Sequence, residues 1–240
     1  MRLFLFFITF FISLQVSAMS PKTSKDWTEY GKRLFGESWQ VQKNSIEALK
    51  KYPNLNKELT TAIEINQNRE LAADVIASLK LYNLIDVLVK YSKEDKTGHL
   101  YLAMNSLITK KTRTTLIGLY SLRITSSEAS LPAKIIMMDT LGRMKHKLSY
   151  SIIENWLTAG NYETQSSALN YVRRLKGQFT NKEFKKIASL ALESNWYQVR
   201  LQALYSLPYY FIDFSECLSD SHKIVRKTCL DKKDKKEINW

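Results

Sequence analysis

Glycine and proline are scarce in this chain, with seven and four residues among 240. Tight turns draw heavily on both, so a sheet-rich fold with many hairpins is excluded. Period-2 alternation is equally rare, whereas apolar residues recur at helical spacing along most of the length. Histidine is limited to His99, His146 and His222, far apart and without a cysteine or carboxylate at metal-ligand spacing. The closest thing to a Cys–His pair is Cys217 and His222, and it has no third group to orient it. The zinc-protease, serine-hydrolase and phosphate-loop motifs are all missing. The sequence therefore offers no catalytic residue, no metal ligand and no cofactor site, and reads as a non-enzyme. Away from the first residues, no segment is apolar for the roughly 20 residues that a bilayer span requires.

The exception is the start. Arg2 precedes an apolar run from Leu3 to Leu14, and Val16-Ser17-Ala18 supplies the small residues that a signal peptidase reads. Residues 1–18 are expected to be a cleaved secretory signal, placing the chain in the periplasm or outside the cell. The mature chain would carry 35 Lys and Arg against 23 Asp and Glu, a net charge of +12. Only two cysteines are present, Cys217 and Cys229. In an oxidising compartment they can bridge and clamp the end of the fold. The other reading is two buried thiols acting as small apolar residues.

What is abundant is internal repetition. From Val41 the offsets +4, +5, +8 and +11 give Ser45, Ile46, Leu49 and Tyr52. Comparable sets start at Leu71, His99, Ala133, Thr164 and Val199, with a truncated copy at Val225, so the starts lie 30, 28, 34, 31, 35 and 26 residues apart. Such a period belongs to repeat architectures, whose units bury an apolar face only against their neighbours. Each unit reads as two helices. The first (A) carries the motif, with small residues at +4 (Ser45, Ala103, Ala168, Ala203, Cys229) that let a neighbouring helix approach. The second (B) is expected at residues 59–65, 84–91, 115–122, 150–157 and 183–192, with Tyr209 to Ile212 as a small B element in the sixth unit. Polar breaks rich in Asn, Ser and Asp supply N-caps between them. Residues 19–36 are expected to form an N-terminal capping segment, with a helix from Asp26 to Phe35 capped by Thr23 or Ser24, and residues 231–240 a charged tail.

Asn195-Trp-Tyr-Gln-Val199-Arg200-Leu-Gln-Ala203-Leu204-Tyr-Ser-Leu207 resembles the A helix of a HEAT repeat, with its Val-Arg pair followed by Ala and Leu. Ser219-Asp220-Ser221-His222-Lys-Ile-Val225-Arg226-Lys-Thr-Cys229-Leu230 resembles the same signature. By spacing the resemblance covers residues 37–230; by signature it covers the last 35 or so. It implies an all-α, right-handed α-solenoid of six to seven helical hairpins, in which Arg200 and Arg226 hold adjoining repeats together.

One scarcity is local. Positions +9 to +14 of the first five units, where A turns into B, hold no acidic residue in thirty positions. They hold twelve basic ones: Lys50, Lys51, Lys80, Lys110, Lys111, Arg113, Arg143, Lys145, Lys147, Arg173, Arg174 and Lys176. Equivalent positions of a stack lie side by side, helices being roughly 8–10 Å apart, so these charges are expected to line one edge. Two readings stand: complementation of helix C-terminal dipoles, and an anion-binding edge. The function expected is an exported scaffold that binds an acidic protein partner; the alternative is a direct binder of an anionic envelope polymer or nucleic acid. Among the aromatics, Trp196 and Tyr197 at a helix start are the expected exposed pair, and Tyr101, Tyr171 and Tyr205 the expected core.

Overall fold

The computed structural model describes residues 26–36 and 38–234. The secretory-signal and Thr23/Ser24 cap expectations lie outside them. Among the described residues the fold is all-α, with fourteen α-helices, three short 3₁₀ turns and no strand. The helices are α1 (Asp26–Arg33), α2 (Trp39–Lys50), α3 (Leu55–Glu64), α4 (Arg69–Leu79), α5 (Ile85–Tyr91), α6 (His99–Ser106), α7 (Arg113–Arg123), α8 (Leu131–Arg143), α9 (Tyr150–Leu157), α10 (Tyr162–Arg174), α11 (Asn181–Leu192), α12 (Tyr197–Ser206), α13 (Phe214–Leu218) and α14 (Lys223–Asp234). None is long and apolar enough to cross a membrane.

From α4 onward, each even-numbered helix packs against the odd-numbered helix before it and against the neighbouring even-numbered helices. The even series therefore runs α4–α6–α8–α10–α12–α14 in direct contact. One buried cluster extends from Trp27 to Cys229 along it. The small residues at +4 make this possible: Ser45, Ala103, Ala168, Ala203 and Cys229 are each 2% exposed or less. Gly142 serves the same end, because a Cβ there would sit 3.2 Å from the Tyr171 ring and 3.1 Å from the Arg174 side chain.

Side-chain N-caps begin some of the helices, though Asn68 before α4 and Trp196 before α12 make none. Ser38, Ser130 and Asn161 accept the N–H three residues on. Thr180 and Glu183 form a reciprocal capping box at α11.

Four expectations need correction. In the set from Leu71, Val75 and Ile76 are fully buried and Leu79 packs against the core, whereas Tyr82 at +11 is 46% exposed. α4 ends at Leu79, so Tyr82 lies beyond it and off its face. Tyr205 is 71% exposed, not core, and Tyr210 is 61% exposed. α13 was not foreseen; five residues are too few for a periodic signal. Finally α14 runs on to Asp234, so the charged segment starts inside a helix.

Candidate functional site

The even helices present two edges with different chemistry. At their N-terminal edge a side chain near the helix start reaches back to the carbonyl six residues earlier. Gln42 Nε2 donates to Gly36 O at 3.0 Å, Arg69 Nε to Ile63 O at 2.8 Å, Gln165 Nε2 to Ala159 O at 2.6 Å and Arg200 Nη1 to Ser194 O at 2.7 Å. Arg226 Nη1 donates to the carbonyls of Asp220 and Ser221. Three of these latches also engage the next unit: Arg69 pairs with Glu94 at 2.9 Å, Gln165 accepts from Ser194 Oγ at 2.5 Å, and Arg200 is bidentate to Asp220 at 2.6 and 2.9 Å. Asp220 is held below the usual carboxylate value, chiefly by its hydrogen bonds from Arg200. Arg200 thus bonds within its own unit and to the next; Arg226 bonds the loop before its own helix. Arg69 is a latch that the motif did not point to, because it lies two residues before the first position, Leu71.

The C-terminal edge carries the basic residues, and here cations cap helices other than their own. Lys80, at the end of α4, donates to Ser106 O at the end of α6 at 2.7 Å. Arg113, after α6, donates to Met144 O at the end of α8. Lys145, after α8, donates to Arg174 O at the end of α10. Lys232 of α14 donates to the carbonyls of Leu204 and Leu207 at the end of α12. Helix C-termini leave four carbonyls without an internal partner, and a cation there also meets the negative end of the dipole. At α12 the need is acute, because Pro208 has no N–H to offer Leu204 O.

The remaining ridge residues divide. Arg143 and Arg174 both bond Asp139, the latter at 2.7 Å; Lys147 lies 3.3 Å from Glu183, and Lys50 lies 3.6 Å from Glu47. These acids stand outside the +9 to +14 window, so the acid-free window does not make an acid-free edge. Lys51, Lys110, Lys111, Arg173 and Lys176 are exposed and have no hydrogen bond or ion pair among the described residues.

At the far end of this edge lies a cleft of about 490 Å³ between α12, the 3₁₀ turn Tyr209–Phe211 and α14. Its walls are mostly apolar, with Lys176, Asp231 and the half-buried Lys232 among them. Burial, with the neighbouring Lys176 ammonium adding to it, lowers Lys232 to about 8. Cys217 and Cys229 are disulfide-bonded and tie α13 to α14 beside it, so Cys217 is no thiol partner for His222. His222 instead stacks flat on Tyr197 at 3.7 Å, while Trp196 is 41% exposed against Tyr162. Tyr101 and Tyr171 are buried; the Tyr171 hydroxyl accepts from Leu148 N and donates to His146 O.

No protein-family model matches the chain, and a search of the curated proteins finds none similar to it.

Proposed function

We propose that this chain is an exported, non-enzymatic interaction scaffold: a right-handed α-solenoid of HEAT-like helical hairpins that seats an acidic protein partner on its basic C-terminal edge. The observation that carries this reading is the relay of capping cations. Lys80, Arg113 and Lys145 link the ends of α4, α6, α8 and α10 into one line, and the uncommitted Lys110, Lys111 and Arg173 stand in its loops or at its helix ends. The successive packing of even helices supports the stack. The disulfide and the apolar Leu3–Leu14 run support export.

Three of the twelve ridge residues, Lys80, Arg113 and Lys145, complement helix ends, which supports the dipole explanation for those three. The uncommitted cations remain for a partner. They are interrupted at α8, where Asp139 occupies Arg143. A discontinuous line suits discrete carboxylates better than an evenly charged polymer, which favours a protein partner over a polyanion.

Charge reversal at Lys110, Lys111 and Arg173 is the test, because none of the three side chains makes a hydrogen bond or ion pair among the described residues. Crosslinking in the native envelope fraction should lose its acidic partner with the far-UV helix signal unchanged. Unaltered crosslinking would end the reading. If retention on a polyanion column instead falls steeply with salt and vanishes in the same variant, the polymer-binding alternative takes its place.

A further inference from the structure

We propose that the cleft between α12, the Tyr209–Phe211 turn and α14 is a binding site for a small amphiphilic anion, a carboxylate carried on an aliphatic or aromatic body. This goes beyond the scaffold reading and does not depend on it. The cleft's volume, about 490 Å³, falls within the roughly 300–1,000 Å³ of small-molecule sites, and such sites combine apolar walls with a few placed polar groups. Here Leu204, Leu207 and the exposed rings of Tyr205 and Tyr210 supply apolar surface. The anion preference comes from two ammonium groups. Lys176 has no internal partner among the described residues. Lys232 has three donors, and the carbonyls of Leu204 and Leu207 take two. The third is used by no hydrogen bond among the described residues.

A half-buried ammonium beside a second one, with no ion pair to either among the described residues, is an incomplete electrostatic arrangement. Its cost shows in the lowered proton affinity of Lys232. A carboxylate in the cleft would accept the third donor and offset that cost, while its apolar body covers the tyrosines. A cationic or neutral amphiphile would cover the same rings without that gain. The wall is also pre-set: the Cys217–Cys229 bond fixes α14 one turn before Lys232, and rigid sites lose less on binding.

The other ionisable groups facing the cleft are Asp231 on α14, Tyr205 on α12, and Tyr209 and Tyr210 on the turn. As pH rises through about 8, Lys232 loses its charge, so affinity should fall there; bound carboxylate should delay that loss.

The probes are sodium decanoate and 4-phenylbutyrate, titrated calorimetrically into the full chain, with decylamine as the matched cation. One of the two carboxylates should bind in the micromolar range at pH 7, weaken several-fold by pH 9.5, and weaken at least tenfold in Lys176→Glu. Decylamine should bind at least tenfold more weakly. Lys176 is exposed and its side chain makes no hydrogen bond or ion pair among the described residues, so Lys176→Glu should keep the wild-type far-UV helix signal; Tyr205→Ser, also exposed, checks the apolar wall and should weaken binding several-fold. Absence of binding by both carboxylates below millimolar concentration overturns the proposal. So does equal binding of decylamine, or full affinity in Lys176→Glu.

Discussion

Asp220 joins three things at once: the Arg200 guanidinium on α12, the backbone N–H of His222 at 2.7 Å, and, through its own carbonyl, Arg226. The Arg200 and Asp220 side chains are only 12% and 7% exposed. Removing one partner of such a pair strands the other charge in a poorly solvated place, which costs about 3 kcal/mol or more. Asp220→Asn should therefore lose about 3 kcal/mol at pH 7 by urea titration. The sign of the pH dependence follows from the same contact. The folded-state value of Asp220 lies below the unfolded 3.8, so its stabilisation is present above pH 3.8 and is lost as pH falls through the folded value. The variant should lack that acid component, and its gap to the wild type should narrow between pH 4 and pH 2. A loss under 1 kcal/mol at pH 7, or a gap that stays constant into acid, would show that the latch does not hold the two units.

Helix ends are where this fold departs from ordinary practice. Lys80 and Lys145 follow their helices with φ of 55° and 54°, the left-handed conformation that glycine adopts most readily. A side chain there costs about 1–2 kcal/mol. What the lysine adds is reach, since each caps the neighbouring helix. Lys145→Met keeps the strain and loses the cap, so it should cost about 1 kcal/mol. Lys145→Gly loses the cap but relieves the strain and should cost less. Chemical denaturation of both variants checks this: a Met variant as stable as the wild type would argue against the cap, and Met and Gly variants of equal stability would argue against the strain. Much of the element order was legible beforehand. The motif at +4, +5 and +8 located the A helices, and the B helix at residues 150–157 has the bounds expected. The Arg69 latch was hidden because Arg69 precedes the motif's first position, Leu71, and a lone Arg at a helix start does not say which carbonyl it reaches. The capping relay was hidden for another reason: a lysine after a helix says nothing about which helix end its ammonium reaches. The tyrosine cleft depends on how α14 packs across α12 and the Tyr209–Phe211 turn, a contact between separate elements that leaves no periodic trace.

At the scale of the whole molecule, the question is whether stability is shared or local. In the proposed stack each unit rests on its neighbours alone, so stability is a sum of unit and interface contributions and an end can open without the middle. α14 is the weak end: only Val225 and Cys229 of its residues are buried, and its packing partners are α13 and α12. The Cys217–Cys229 bond closes a loop with a sequence separation of 12, and a crosslink of that length contributes about 3 kcal/mol. Reduction should therefore raise amide exchange across α14 by about a hundredfold, because 1.4 kcal/mol is tenfold in an opening equilibrium. Exchange in α12 should rise less, and α4, α6 and α8 should keep their protection. Native-state hydrogen exchange with and without a reductant reads all of these helices in one experiment. If the amides of α4 to α8 accelerate together with those of α14, the helices form one cooperative unit, and a stack of separately supported pairs is the wrong description of this chain.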